Sequence, residues 1–253
     1  MDLDPDAAAA ARENLVRFGP RAKIYHANYT EMEYVTRLAS AGPLDGIVAD
    51  LWIGSHQLGS GDRGFSLDLD GPLDMRYDTD AGRPARELVN RLSERELADI
   101  IGRCGEEPRA RTVARAIVRA REKKRIEGTR ELAAIVARAI GTPGRWRIHP
   151  ATRTFMALRI SGNDELGSLE RFIGTSAGRL APDGRMVIIS FHSLEDRIVK
   201  NAFRSLAARD DDGGRAPFTI LTKKPLVPDE GEVSLNPRAR SAKLRAIQRI
   251  PDG

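Results

Sequence analysis

Seventeen residues, Asp62 to Asp78, read DRGFSLDLDGPLDMRYD and carry five Asp, two Arg, two Gly and one Pro. Carboxylates at that density either bind a cation or order a loop by pairing with arginine. No helical or strand period runs through the stretch, so a loop is expected. Phe65, Leu67, Leu69, Leu73, Met75 and Tyr77 make it too apolar for a disordered linker. A long irregular loop with apolar content inside a compact domain is usually functional. The stretch is also acidic in a chain whose formal charge is +5, which marks a site rather than generic surface.

A second candidate is Asp50, the last residue of the apolar run GIVAD (46–50). Sites in parallel sheets form outside the carboxyl ends of strands, and an acid there is more often functional than structural. Trp52, Ser55, His56 and Gln57 follow with stacking and hydrogen-bonding groups. The plainer alternatives are that Trp52 packs the loop and that His56 is an exposed loop histidine. Asp2 and Asp4 precede a predicted helix at what should be a strand end. In nucleotide-binding α/β folds such an acid accepts hydrogen bonds from ribose hydroxyls; two N-cap acids near a helix dipole are the commoner arrangement. His192, in FHSLED (191–196), could accept a proton, although a histidine beside a helix start is more often a structural hydrogen-bonder.

Arg111, Arg115 and Arg119 recur every four residues opposite the apolar face of a predicted helix, and Arg121, Lys123, Lys124 and Arg125 follow. A second basic cluster holds Arg238, Arg240, Lys243, Arg245 and Arg249. Either could track a nucleic-acid backbone. A solvated helix face explains one stripe equally well, and the second cluster strengthens the RNA reading. Only seven of the 41 basic residues are Lys. Arginine's planar fork suits phosphate, while a GC-rich genome would give the same bias.

These groups need elements to hold them. Asp4-Pro5-Asp6 predicts a helix start with Asp4 as N-cap, and Gly19-Pro20 its end. Lys23 to Ala27 reads as a short strand. Thr30 and Glu33 read as the capping box of a second helix, and 46–50 as a strand. This alternation is that of a parallel α/β sheet. After the acidic loop, amphipathic patterns begin at Ser93, Ala110 and Thr129, the last closed by Gly141, with no strand from about 84 to 144. A helix over 164–177, a buried strand over 185–191 and a helix capped by Ser193 with Asp196 return to α/β. A flexible turn is expected at 210–214, and 218–222 with 242–247 as an antiparallel ribbon.

With 253 residues the chain can bury a sizeable core in one large or two smaller domains. No run approaches the ~18 apolar residues of a membrane span, and no signal peptide is read at the start. The single Cys104 excludes an intrachain disulfide and fits a reducing cytoplasm. The four His lack metal-ligand spacing, so no zinc site is expected.

Six segments together resemble one family: 62–78, GEEPRARTVARAIV (105–118), HPATRTFMALRI (149–160), NDEL (163–166), ISFHSLEDRIVK (189–200) and NPRARSAKLR (236–245). The chain resembles the ribosomal RNA small-subunit methyltransferase H family, in order and over nearly its whole length. The resemblance implies a class I (Rossmann-like) α/β methyltransferase sheet with an inserted all-helical domain. Its parts would be 1–80 and 149–253 for the methyltransferase halves and 81–148 for the helical, RNA-binding insert. It implies methyl transfer from S-adenosylmethionine to N4 of a cytidine in 16S rRNA of the small ribosomal subunit, in the cytoplasm. By matching position, Asp2 would bind ribose, Tyr29 would lie near adenine, and Asp50 and Gln57 would contact cofactor. Asp50, or a backbone carbonyl in the following loop, would orient the cytidine amino group. Trp52 or Phe65 would hold the flipped base, and Arg111, Arg115 and Arg119 would meet RNA. The acidic loop would order the pocket through Arg63 and Arg76.

The resemblance has departures. The family carries an earlier strand and a glycine-rich loop that holds the methionine part of the cofactor, and this chain begins after them. The expectation for a chain starting here is absent first strands, an exposed strand edge and weak or no cofactor binding. Trp52 stands where the family has Gly, and Met156 where it has Gln. Two alternatives remain at this point: a non-catalytic or divergent RNA-binding relative, and a nucleotide-dependent dehydrogenase that lacks its glycine fingerprint.

Overall fold

The computed structural model describes residues 1–54, 57, 59, 61–141, 149–209 and 216–251. The chain divides into two compact units, Met1–Trp52 with Leu166–Gly253, and Ile53–Glu165. Residues 62–78 and 152–162, assigned by sequence to the methyltransferase halves, belong to the second unit. The reason is packing: Phe65, Leu73, Met75, Phe155 and Leu158 sit in one core with the helices.

In the first unit, α1 (Pro5–Leu15) starts where Asp4, 1% exposed, accepts the Asp6 N–H at 3.0 Å. Before α2 (Met32–Leu38) the capping box is Asn28 with Glu31, not Thr30 with Glu33. Asn28 Oδ1 accepts both the N–H and the hydroxyl of Thr30 at 2.9 Å, so that hydroxyl is already engaged. The strand read over 23–27 is reduced to one parallel bridge, Asp2 with His26. The ladder stops because the partner chain enters α1 at Pro5.

The sheet has strands β1 (Leu44–Asp50), β2 (Leu180–Ser190), β3 (Phe218–Ile220) and β4 (Lys243–Arg249), in the order β1-β2-β4-β3. β1 runs parallel to β2, and β4 is antiparallel to both β2 and β3. The expected ribbon near the C-terminus is therefore present. Ile47, Met186, Ile188 and Ile247 point into a core with Phe172 and Ile173 of α8 (Glu165–Ala177) and Val199 and Phe203 of α9 (Ser193–Leu206). Among the described residues β1 pairs with β2 alone, and Val48 is 73% exposed. A short helix, α10 (Glu230–Leu235), precedes β4.

The second unit holds α3 (Ala85–Arg91), α4 (Glu94–Gly105), α5 (Ala110–Arg121), α6 (Thr129–Ile140) and α7 (Thr152–Gly162). The Ser93–Glu96 capping box starts α4, and Gly141 at φ 73° ends α6. Sequence reading missed α3, which has two turns and little periodicity. No helix among the described residues is long and apolar enough to cross a membrane. The turn read at 210–214 lies outside the described residues.

The acidic loop is irregular but tightly held. Asp74 accepts from Arg76 Nε at 2.7 Å and Nη2 at 2.9 Å, with Arg86 Nη1 at 3.3 Å. Asp70 and Leu69 carbonyl oxygen engage Thr129 at the start of α6. Arg63 donates to the Tyr77 carbonyl at 2.9 Å. Gly64, at φ 71°, has no room for a Cβ against the Pro72 carbonyl, and Gly71 none against that of Gly61. Burial pushes the Asp74 carboxyl up, but the bond and charge of Arg76, helped by Arg86, bring it below the usual value of 3.8. Its folded value is thus below its unfolded one, so the stabilisation is present above 3.8 and lost as pH falls further. Asp74→Asn should cost about 1–3 kcal/mol at pH 7. Thermal unfolding across pH should show the gap to wild type closing as the pH drops below 3.8.

Candidate active site

β1 and β2 stay in register from Ile47 with Met186 to Asp50 with Ile189. Because they are parallel, their carboxyl ends open on the same edge, where sites in such sheets form. The Leu51 N–H extends the ladder to the Ile189 carbonyl at 3.0 Å. Asp50 is exposed, and its Oδ1 accepts the Trp52 N–H at 3.1 Å. That turn fixes the carboxylate without burying it. The Trp52 ring then meets Phe191, which follows β2, at 4.6 Å between centroids and 61°. Both rings are partly exposed. Trp52 keeps φ out of the left-handed region, so the backbone at this position accommodates a large residue.

The chain leaving β2 is closed by its own hydrogen bonds. Glu195, 5% exposed, accepts the N–H of Phe191 at 2.8 Å and of His192 at 3.2 Å. His192 Nδ1 accepts the Glu195 N–H at 3.4 Å, so His192, not Ser193, is the N-cap of α9. With Nδ1 accepting, the proton of a neutral ring lies on Nε2, which is 3.1 Å from Glu195 Oε1 but outside hydrogen-bond angle. The ring is engaged in capping and is not presented as a base. One residue on, Asp196 holds Arg245 at 2.7 and 3.3 Å; Arg245 is 7% exposed.

Asp2 pairs through its backbone with Tyr25 and Ala27 at 3.1 and 3.0 Å, and its Oδ1 accepts the Asp4 N–H at 2.8 Å. Asp4 is thus the cap, while Asp2 stays exposed. Tyr29 lies 5.0 Å from Phe172 between centroids, on the same apolar core that carries Ala49 and Leu51. Asp2, Tyr29, Asp50 and Trp52 all belong to the first unit. Gln57 belongs to the second, 5% exposed, with Oε1 accepting the Gly54 N–H at 3.0 Å. Ser55 and His56 lie outside the described residues.

Phe65 was expected as a possible base platform. It is 9% exposed and stacked on Tyr77 at 5.4 Å and 18°, so packing occupies it, while Trp52 is partly exposed. Arg111, Arg115 and Arg119 are exposed along α5, with Arg115 3.3 Å from Glu94. Phe191 was not singled out as an aromatic partner of Trp52; the signal was its place at the end of the apolar run 185–191.

The groups left exposed are compatible with S-adenosylmethionine: the Asp2 carboxylate, the partly exposed Tyr29 ring packed on buried Phe172, and the Asp50 carboxylate at a strand end. A parallel pair bearing an acid at its carboxyl edge, completed by an antiparallel ribbon and interrupted in sequence by a helical unit, defines a Rossmann-like methyltransferase. The chain belongs to the MraW methylase family, whose pattern matches residues 1–250. It is 49% identical over 266 positions to the "Ribosomal RNA small subunit methyltransferase H" of Syntrophus aciditrophicus (strain SB), covering 99% of this chain and 82% of that protein. The protein of the same name from Nitratidesulfovibrio vulgaris (strain DP4) is 47% identical, with 99% and 81% covered. That from Geobacter sulfurreducens is 49% identical, with 99% and 84% covered. The chain is a methyltransferase with S-adenosylmethionine as methyl donor.

If His192 caps rather than catalyses, Asn, a comparable N-cap, should replace it. His192→Asn should change unfolding free energy by less than about 1 kcal/mol and leave methyl-transfer rate within about threefold. Loss of a general base would cost about 100-fold or more.

Proposed function

We propose that this protein methylates N4 of a cytidine in 16S rRNA of the small ribosomal subunit, and so works in the cytoplasm. The observation that carries the reading is the exposed Asp50 carboxylate at the end of β1, set beside the partly exposed pair Trp52 and Phe191. The names of the relatives support the same reading.

The chemistry asks for these groups. Cytosine N4 is a weak nucleophile because its lone pair is delocalised into the ring. Asp50 accepts one N4 hydrogen and turns the lone pair out of that conjugation. As the N4–C bond forms, the nitrogen becomes cationic, and Asp50 or water takes the proton. S-adenosylmethionine, held by Asp2 and Tyr29, would supply an electrophilic methyl carbon on a sulfonium sulfur, which would keep the C–S electron pair and leave as a neutral thioether. Asp2 and Tyr29 hold ribose and adenine. Trp52 offers a partly exposed ring for a base taken out of its stack. Arg111, Arg115 and Arg119 provide a cationic face for the RNA backbone.

Asp50→Asn should lower kcat for tritiated methyl transfer to small-subunit 16S rRNA by about 100-fold, with little change in RNA affinity. Trp52→Ala should raise KM for RNA by about tenfold, the worth of one stacking contact. Turnover by Asp50→Asn at the wild-type rate would refute Asp50's role. Absence of N4-methylcytidine in the product, read by mass spectrometry, would refute the reaction.

A further inference from the structure

Two basic clusters compete for the substrate, and strand direction distinguishes their members. β4 is antiparallel to β2, with Lys243 opposite Ser190 and Leu244 opposite Ile189, while Asp50 lies opposite Ile189 from the other side. The start of β4 and the ends of β1 and β2 therefore share one edge. Lys243 stands two strand spacings from Asp50, about 10 Å at ~4.8 Å per spacing. The turn Pro237–Ser241 runs directly into that edge.

The five basic residues of this cluster then have different roles. Arg245 is buried and holds Asp196. Arg249, at the far end of β4, donates to the Leu180 carbonyl at 2.7 Å. Those two are structural. Arg238 and Arg240 are exposed on the turn, and Lys243 is partly exposed beside Asp196 at 3.8 Å. Asp196 is already neutralised by Arg245, and burial, which pushes its carboxyl up, is outweighed by Arg245, Lys243 and Lys200.

We infer that Arg238, Arg240 and Lys243 grip the RNA phosphates flanking the nucleotide presented to Asp50, so that the turn before β4 positions the substrate strand at the carboxyl edge. The inference rests on the reading of RNA as substrate. Phosphate contacts fix register without reading sequence, which is the job needed next to a pocket that must receive one base. Lys243 is adjacent to the reacting edge by hydrogen-bonded register, and Ala242 alone separates it from the turn that carries Arg238 and Arg240.

The test uses the full chain, a 16S rRNA fragment bearing the target cytidine unmethylated, and Arg238→Ala/Arg240→Ala. The expected result is KM for RNA raised on the order of tenfold. The slope of log affinity against log salt should fall by about 1.4, at ~0.7 per contact on a single strand. kcat at saturating RNA and calorimetric S-adenosylmethionine binding should not move. Arg204→Ala, an exposed change at the other end of α9, serves as the control and should leave KM and slope unchanged. Wild-type KM and salt slope in the double variant would overturn the inference while leaving the RNA reading intact. Failure of the unaltered chain to bind the fragment at all would instead sink the RNA reading, and this inference with it.

Discussion

The parallel pairing of β1 with β2 is the constraint on which the candidate site depends. Five consecutive register pairs, Gly46 with Arg185 to Asp50 with Ile189, bring two chain segments more than a hundred residues apart to one edge. Asp50 and Trp52 are neighbours along the chain, and Phe191 joins them only through that pairing. The same register, carried across to β4 with the direction reversed, brings Lys243 and the turn before it to that edge as well. Ile47, Met186, Ile188 and Ile247 secure the register from below, because a one-residue slip would turn all of them out of the core.

Charge in the first unit is divided between holding and presenting. Asp4, Glu195, Asp196 and Arg245 are buried or nearly so and are engaged by caps or by each other. Asp2 and Asp50 stay exposed, each accepting, among the described residues, a backbone N–H two residues on. An acid held in that way keeps lone pairs for a ligand, whereas Glu195 has both oxygens directed at its own helix start. The difference separates the acids suited to substrate or cofactor from those that hold the frame.

The second unit solves a separate problem. A loop with five acids and no regular hydrogen-bond ladder must satisfy its backbone some other way. It does so with Thr129, Asn163 and Arg63, while Phe65, Leu73 and Met75 anchor it in the helical core. Here the acids order the loop: Asp74 pairs with Arg76 and Arg86, and Asp70 meets the start of α6.

Periodicity made α1, α4, α5, α6, α8 and the buried strand β2 legible, because their burial repeats along the chain. Local competition blurred the caps: Asn28 displaced Thr30, and His192 displaced Ser193, since either neighbour offers an acceptor at nearly the same place. The single sequence also named Asp50 and Trp52, because an acid and an aromatic after an apolar run mark a strand end. It could not tell that Phe65 is buried and Trp52 partly exposed, nor that Arg245 is buried while Arg238 and Arg240 are exposed. Each pair has the same chemistry in sequence. Only tertiary packing buries one member and leaves the other at the edge, because burial depends on which distant segments arrive to cover it.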